Sequence, residues 1–556
     1  MEIGHQTAPK PLSVQTLSFD QIPNQSRLFL DYLRNPLALK EFYPSAMASQ
    51  DELPERIPSV LAKYATNRNA LADALGAMNE RWGAQSKTLE NIEKLRADDC
   101  VAIVTGQQAG IFTGALYTIY KAISTIKVAA DLNRRGFHAV PIFWIASEDH
   151  DFAEVAATEI LDRNGQAVKI EITGNKEDEG LSVGKIFLGE SIETAIDKLF
   201  AALPETEESA DLENIVRAAY QPQFTLSESF ARMMTALFSK FGLILLDPLD
   251  QTLKKLAAPI YAVAVECAEQ MTTALIARSH ELETAGYHAQ VLVKPDSFPL
   301  FWSDDAGKRC ALHRTKDGKI TTKCTRHKFE VEDLKQIALE QPERLSPNAT
   351  LRATIQDFLL PTLCYFGGAA EIAYFAQSSE VYRILQRPVT PIFHRASVTI
   401  VESHEQQILS RYNLNLTDFL TRQKCWLPQI VEEYLNPATA KVFAETEAVL
   451  GAELDNLNQS LTQFDLTLAQ SLARRRPKIA HHLDAMRSNF YLVEIEKNQA
   501  VKSQLEQTCV ALFPHKSLQE RSFNVASLLS RHANYVLERL YYLINVAQVE
   551  HKIVFL

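Results

Sequence analysis

Five short, continuous apolar runs stand out along the chain, and each ends in a polar cluster. Val101 to Val104 leads into Thr105-Gly106-Gln107-Gln108, and Val140 to Ala146 leads into Glu148-Asp149-His150-Asp151. Leu243 to Leu246 ends in Asp247-Pro248, Thr362 to Phe366 in Gly367-Gly368, and Val389 to Phe393 in His394-Arg395. Runs of this length without alternation suit strands buried on both faces. Between the first two, Leu116, Ile119, Tyr120, Ile123 and Ile126 follow helical spacing, and Gly136 supplies a stop. Strand, helix and strand in about 45 residues predict a βαβ unit, and its handedness makes the sheet parallel. Ligands of open α/β sheets bind beyond the carboxyl ends of the strands, so the five clusters predict one shared site.

The remaining pattern divides the chain. Residues 1 to about 97 read as polar helices punctuated by Pro54 and Pro58. Residues 152–240 carry acidic stretches (Glu177, Asp178, Glu179, then Glu205, Glu207, Glu208) and read as an inserted α+β lobe. A second insertion, 296–344, contains Asp317-Gly318 between alternating segments, the signal of a two-residue hairpin turn. Further on, Leu450, Leu454, Leu457, Leu461, Phe464 and Leu468 form a heptad seam, and Ile479, Leu483, Met486, Phe490 and Val493 form another. Arg474-Arg475-Arg476 before Pro477 places cations where a helix C-terminus favours them. The seams therefore predict an antiparallel coiled-coil hairpin broken at Pro477, in competition with core packing within a bundle. The expected division is a core over 1–404 with insertions at about 152–240 and 296–344, a helical arm over 405–512, and a helical segment over 513–556 that returns to the core.

Composition narrows the class. Of 556 residues 46% are hydrophobic and 22% charged, which excludes a disordered chain. Only 19 are glycine, about half the usual ~7%, so clustered glycines carry information. The net charge of −11 argues against bulk binding to nucleic acid or an anionic membrane. No apolar run approaches the ~18 residues of a membrane span, and the first residues lack the pattern of a secretory leader. Seven cysteines without a CxxC pair read as reduced thiols, so a cytoplasmic protein is expected.

Three of the glycines fall within Gly106-Gln-Gln-Ala-Gly110-Ile-Phe-Thr-Gly114. Between a strand and a helix, such a loop can turn backbone N–H groups towards an anion, with Tyr117 and Lys121 one and two turns along. It matches neither the dinucleotide nor the P-loop fingerprint, and the plainer reading is a tight turn. Glu148-Asp149-His150-Asp151 crowds four ionisable groups, a candidate acid/base cluster because like charges and a nearby imidazole redistribute protons. A divalent-metal or ammonium site fits the same charges, and the plainer reading is a helix N-terminus capped by Asp. Ser346-Pro347 reads as a helix start, with Arg352 and Gln356 neighbours on that helix and Glu371, Tyr374 and Ser378 aligned on the next. Cys310-x-x-His313 and Cys324-x-x-His327 have zinc-like spacing. A hairpin turning at Asp317-Gly318 pairs Ala311 with Cys324 and puts Cys310 on the other face, so no metal is assigned.

Taken together, several blocks resemble a known family, the cysteine-adding enzymes (cysteine ligases) of bacillithiol synthesis. They are Val104-Thr-Gly-Gln-Gln-Ala-Gly-Ile-Phe-Thr-Gly114 with Leu116 to Lys121, and Pro141-Ile-Phe-Trp-Ile-Ala-Ser-Glu-Asp-His-Asp-Phe152. Leu345-Ser-Pro-Asn348, Arg352, Gln356-Asp357, Leu360-Pro361, Gly367-Gly368, Glu371 to Tyr374 and Gln377 follow, and Leu518-Gln-Glu-Arg521 with Asn524 closes the series. Thr113 stands where the family has a second glycine, and Ala115 and Ala369 stand where it has proline. The resemblance implies a Rossmann-like parallel-sheet core with connective insertions and an α-helical coiled coil that pairs two subunits. It also implies joining of the L-cysteine carboxyl to the amine of glucosaminyl-malate.

Such chemistry calls for carboxylate activation, most simply by ATP, with or without Mg, at Gly106, Gln107, Gln108, Gly110, Gly114, Tyr117 and Lys121. The resemblance places substrate at Asn348, Arg352, Gln356, Asp357, Gly367, Gly368, Glu371, Tyr374, Arg395 and Arg521, with Glu148, Asp149, His150 or Asp151 accepting the amine proton. Malate's two carboxylates call for cations such as Lys121, Arg352, Arg395 or Arg521. Two other functions fit the residues: a non-catalytic nucleotide-binding coiled-coil partner of a thiol-synthesis enzyme, and an adenylyltransferase of another acid.

Overall fold

The computed structural model describes residues 14–324, 327–421 and 426–556; Cys425 and the first thirteen residues lie outside them. All five apolar runs form strands of one parallel sheet. In chain order the elements that build the site begin with β1 (Val101–Gln107), α1 (Tyr117–Arg134) and β2 (Ala139–Ile145). The first insertion opens with the hairpin β3 (Ala157–Leu161) and β4 (Ala167–Glu171), before β5 (Ile244–Leu246) and α2 (Gln251–Glu266). The second carries β6 (Ser297–Ser303), β7 (Arg309–Arg314), β8 (Ile320–Thr322), β9 (Lys328–Phe329) and β10 (Leu345–Pro347). Then come α3 (Ala349–Leu359), β11 (Thr362–Gly367), α4 (Ala369–Ile384) and β12 (Ile392–His394).

The strand order of the parallel sheet is β12-β11-β1-β2-β5. The chain starts in the middle, winds outward to β5, and returns to the other side of β1 as β11. The order therefore reverses between β1 and β11, and such a switch point opens a crevice at the carboxyl ends of the strands. Beneath it, Val101, Ile103, Leu363 and Phe366 from the sheet pack with Val128 and Leu132 of α1, which is why these strands read as unbroken apolar runs.

Three local expectations are corrected. The hairpin between β7 and β8 turns through Lys316-Asp317-Gly318, not two residues: Thr315 N donates to Lys319 O at 2.8 Å, and Gly318 takes the left-handed conformation such loops require. The ladder pairs Leu312 with Thr322 and Arg314 with Ile320, one residue away from the expected register. Nor does Ser346-Pro347 start a helix. Both lie in β10, an edge strand paired with β6 where a proline costs no ladder bond, and Asn348 caps α3 by accepting from Leu351 N at 3.0 Å.

Residues 14–399 and 520–553 form one compact unit, and residues 400–519 with the last three form another. In the second, α5 (Pro437–Phe464) and α6 (Leu466–Lys497) run antiparallel, with Phe443 stacked on Phe490 at 5.4 Å and ion pairs Glu447–Arg487 and Asp455–Arg476. The break falls at Asp465 and not at Pro477. Asp465 is extended and caps α6 by accepting from Thr467 N and Leu468 N, while Pro477 is carried inside α6. Among the described residues no helix is long and apolar enough to cross a membrane.

One buried network in the first unit titrates. His551 Nδ1 meets Ser397 Oγ at 2.8 Å and Nε2 meets Thr399 Oγ1 at 2.9 Å. Burial pushes this imidazole down to about 4 from an ordinary ~6.5. Between these values the unfolded chain binds the proton and the native state does not. The stabilisation is complete above pH ~6.5 and is lost as pH falls towards ~4, by about 3 kcal/mol. Urea unfolding as a function of pH should show this loss in the wild type and a flatter profile in His551→Asn.

Candidate active site

At the switch point lies an open cavity of about 560 Å³, lined from β1 by Gly106, Gln107 and Gln108, from α1 by Tyr117 and Lys121, and beyond β2 by Glu148, Asp149 and His150. Its other wall is Asn348 and Arg352 of α3, Gly368, Glu371 and Tyr374 around α4, and Arg395 after β12, with Arg521 at the mouth. A smaller cavity of about 260 Å³ adjoins it, sharing Gln107, Gln108, Tyr117 and Arg521 and taking in Gly110 and Gly114. Expected residues that line neither cavity are Asp151, Gln356, Asp357 and Gly367. Asp151 caps a short helix, accepting from Glu154 N at 3.2 Å. Gln356 braces Arg352, and Asp357 is buried with Thr390 and Tyr382, its carboxyl raised by that burial. At two other strand ends, the half-buried Asp247 is bonded to Ser147, and His394 sits among the rings of Phe19 and Phe29.

Backbone geometry explains two glycines. A Cβ on Gly106 would lie 2.9 Å from Trp144 O, and one on Gly367 2.9 Å from both Glu371 Cβ and Ile392 Cδ1, so any side chain would push the strand ends apart. The loop after Gly106 is a weaker anion cradle than its glycines suggest. The N–H groups of Gly110, Thr113, Gly114 and Leu116 already donate to protein oxygens, and Asn524 Nδ2 binds the carbonyls of Phe112 (2.8 Å) and Gly114 (2.7 Å). Phosphates here would be held by side chains, and Arg521, Tyr117 and the two glutamines supply suitable donors.

The same loop holds Phe112 and Thr113 at φ of 52° and 80°. Thr113 is β-branched and buried, and its hydroxyl has no partner among the described residues. A Thr113→Gly variant would relieve about 1–2 kcal/mol of backbone strain and an unsatisfied hydroxyl worth about 1 kcal/mol. Lost methyl burial and chain entropy oppose this by about 1.5 kcal/mol. The variant should be about 1 kcal/mol more stable, read as a higher urea midpoint with unchanged slope.

Charges in the cavity fall into two classes. Lys121, buried, meets Glu371 Oε2 at 2.5 Å and also donates to Gly106 O and Gln107 Oε1. Burial pushes this lysine down, and Glu371 is held low despite its burial by Lys121, Tyr365 and Gly368 N. Arg395 is likewise neutralised: its Nη2 meets Glu520 Oε1 at 2.8 Å, and its guanidinium lies over the Tyr117 ring. Arg352, by contrast, meets only Gln356 and the phenols of Tyr374 and Tyr365, and Arg521 is exposed with no partner among the described residues. Two of the four expected cations are thus occupied by carboxylates and two face the cavity without one.

Across from them, Asp149 Oδ2 accepts from Gln108 Nε2 at 2.7 Å, and Oδ1 accepts from His150 N at 2.8 Å and Arg309 Nη1 at 3.2 Å. Burial would raise this carboxyl, but the bonds from His150 and Gln108 and the charge of Arg309 hold it well below the usual carboxylate range. Arg309 Nη1 also lies 3.2 Å from His150 Nδ1, and the guanidinium stacks 3.8 Å above the Phe301 ring. Glu148 plays a different part: Lys254 of α2 binds it and also donates to Leu345 O at 2.6 Å, out of solvent.

Sequence reasoning missed Arg309, Lys254 and Glu520. Lys254 had a readable signal, since it falls on the same helical stripe as Ala257, Ala258 and Tyr261. Glu520 lay inside a quoted block without being assigned a role. Arg309 is one charge in an inserted strand, and nothing in its spacing marks it. Among the described residues no three His, Cys, Asp or Glu side chains group as metal ligands.

The geometry can be set beside known proteins. Residues 12–396 match the family described as "Bacillithiol biosynthesis BshC, N-terminal Rossmann-like domain", and residues 398–556 match its C-terminal coiled-coil domain. A protein of Salinibacter ruber carrying the name "Putative cysteine ligase BshC" is 34% identical over 530 residues, 95% of this chain and 96% of its own length. Proteins of the same name from Koribacter versatilis (34% over 515 residues, 92% and 94%) and Solibacter usitatus (33% over 542 residues, 96% and 98%) are similarly close.

Proposed function

Because this chain belongs to the bacillithiol biosynthesis BshC family, we propose that it is a cysteine ligase that joins the carboxyl of L-cysteine to the amine of glucosaminyl-malate, using ATP. The observation that carries this reading is the pairing, within one cavity, of an ionised Asp149 beside His150 with two cations, Arg352 and Arg521, that no carboxylate occupies. Amide formation needs an activated carboxyl and a neutral amine. ATP, when bound, supplies the leaving group that a free carboxylate lacks.

The side chains divide the remaining work. Asp149 is too weak a base to take a proton at neutral pH, because its partners hold it ionised; its charge suits holding a substrate ammonium. His150, 3.5 Å from Asp149 Oδ1, is the group that accepts the proton as the amine attacks. Arg352 and Arg521 receive the malate carboxylates or nucleotide phosphates, and Arg521 stands where the two cavities meet. Lys121–Glu371 and Arg395–Glu520 are internally neutral and shape the wall.

The test is mass-spectrometric detection of bacillithiol after mixing purified protein, L-cysteine, glucosaminyl-malate and Mg-ATP. ATP-dependent product is expected. An AMP-linked acid without amide would replace this reading with an adenylyltransferase. Nucleotide binding by calorimetry without product would replace it with the non-catalytic partner.

The arm bears on assembly. Val442, Val449, Leu457 and Phe464 of α5 are solvent-exposed at near-heptad intervals although α6 already packs beside them. A second copy of the arm is the occupant this stripe fits, and sedimentation should give a dimer. A Val449→Glu variant should shift it to monomer, and a monomeric wild type would overturn the assignment.

A further inference from the structure

The inserted antiparallel sheet carries chemistry that the ligase reading does not use. The β7–β8 ladder ends at Leu312–Thr322, and Cys324, two residues further on in the turn that follows β8, brings its thiol into hydrogen-bonding contact with that of Cys310. A disulfide needs the two sulfurs to close to ~2.05 Å with Cβ atoms ~3.5–4.5 Å apart, and thiols already in contact, one of them in a turn, have little distance left to close. The two environments differ. Cys310 is buried, paired across the ladder with Trp302 of β6, while Cys324 is exposed at the end of the hairpin. Among the described residues no third His, Cys, Asp or Glu side chain groups with them.

We propose that Cys310 and Cys324 form a reversible disulfide between β7 and the turn after β8, a thiol-oxidation site on the back of the strand that presents Arg309 to the cavity. With hydrogen peroxide as oxidant, the Cys324 thiolate attacks one peroxide oxygen. The O–O bond breaks, hydroxide leaves and takes up a proton as water, and Cys324 becomes a sulfenic acid. The Cys310 sulfur then attacks the Cys324 sulfur and the S–O bond breaks. The departing hydroxide takes the Cys310 proton, giving a second water. Two thiols lose two electrons and two protons, and peroxide is reduced to two waters. The order follows from access: burial and the neighbouring thiol push Cys310 up to about 12, so it reacts as the protonated second partner.

The bond would tie the turn after β8 to β7 directly behind Arg309, whose guanidinium is fixed to Asp149, Ser346 Oγ and Pro347 O. Any effect on catalysis rests on the ligase reading above, so the two are measured separately. Full-length protein is treated with stoichiometric hydrogen peroxide, alkylated, digested without reductant and mapped by mass spectrometry.

A peptide pair joining Cys310 to Cys324, lighter by two hydrogens and abolished by dithiothreitol, is expected. The buried Cys364 should stay reduced, and Cys324→Ser should lose the link. Cys324 over-oxidised to sulfinic acid with Cys310 still free, or both thiols alkylated, would overturn the proposal, and this needs no variant to fold. Ligation is assayed before and after oxidation. No product from reduced protein refutes the ligase reading alone, whereas product without the linked peptide refutes the thiol pair alone.

Discussion

A Lys254→Met variant should lose about 3–5 kcal/mol of stability, because it leaves Glu148 charged, buried and without its partner. The pair is enclosed by Tyr261 and by the carbonyl of Leu345, so water cannot replace the ammonium. The measurement is urea unfolding of wild type, Lys254→Met and the double variant Lys254→Met/Glu148→Gln. The double variant should recover most of the loss, since the uncompensated charge is gone and only the bonds to Leu345 O and the paired geometry are missing. If the single variant loses less than about 1 kcal/mol, the ordinary range for exposed pairs, the enclosure described here is wrong. Glu148 would then be open to solvent and available for proton transfer. Activity adds a second reading: Lys254 joins the end of β2 to β10, so the double variant, though folded, should misplace Asp149.

Asp149→Asn is expected to lower kcat/KM for ligation by roughly 30- to 1000-fold, the ~2–4 kcal/mol typical of removing one charge from a partly buried, hydrogen-bonded pair. The amide keeps the size of the carboxylate and can still accept from one neighbour, but it leaves the buried Arg309 without its carboxylate. Some loss of stability is therefore expected too, and urea unfolding must show the variant folded at the assay temperature. What it removes is the negative charge that Gln108, His150 and Arg309 are arranged around. The pH dependence separates the two roles open to this residue. Because its partners hold Asp149 well below the usual carboxylate range, it stays ionised through the working range and contributes no acid limb there. Asp149→Asn should therefore lower the profile without removing an acid limb from it, while His150→Gln should lower kcat more than it raises KM. A profile whose acid limb disappears in Asp149→Asn would reverse the assignment of holder and base.

The parts legible in the sequence were those whose physics is local or periodic. Strands covered on both faces have no polar positions, so β1, β2, β5, β11 and β12 announced themselves as unbroken runs, and their polar ends located the cavity. The glycine loop was legible as a turn, but its power to bind anions was not. Whether an N–H is free depends on Tyr220 and on residues beyond 520, which come near it only in the fold. The β7–β8 hairpin failed by one residue because Asp-Gly serves both two- and three-residue loops, and a slip of one exchanges the faces. That slip, together with the turn that follows Thr322, is what brings Cys324 to Cys310. Pro477 misled because a helix break was inferred from the residue least compatible with a helix. The actual end is set by an ordinary aspartate with good capping geometry.

Charged neighbours were the least legible part. Lys121, Arg352 and Arg395 read alike in the sequence as cations near a site. Their difference lies in Glu371, Glu520 and two tyrosine hydroxyls, each supplied by another segment. Availability for a ligand is a property of the pair, and a pair separated by more than a hundred residues has no signature in either member.

Asn524, which binds the carbonyls of Phe112 and Gly114, has a further consequence for the order of events during synthesis. It follows Gly114 by 410 residues. At typical elongation rates of about 5–20 residues per second, the loop exists for roughly 20–80 s before the amide that closes it has been made. Throughout that interval, β1 and β2 can pair while the turn between them, with two residues in left-handed backbone, lacks its clasp. The newborn protein is thus a sheet with an unfinished rim. Segments bearing the cavity's first wall wait on the ribosome for its last, and chaperone demand during translation should centre on this rim.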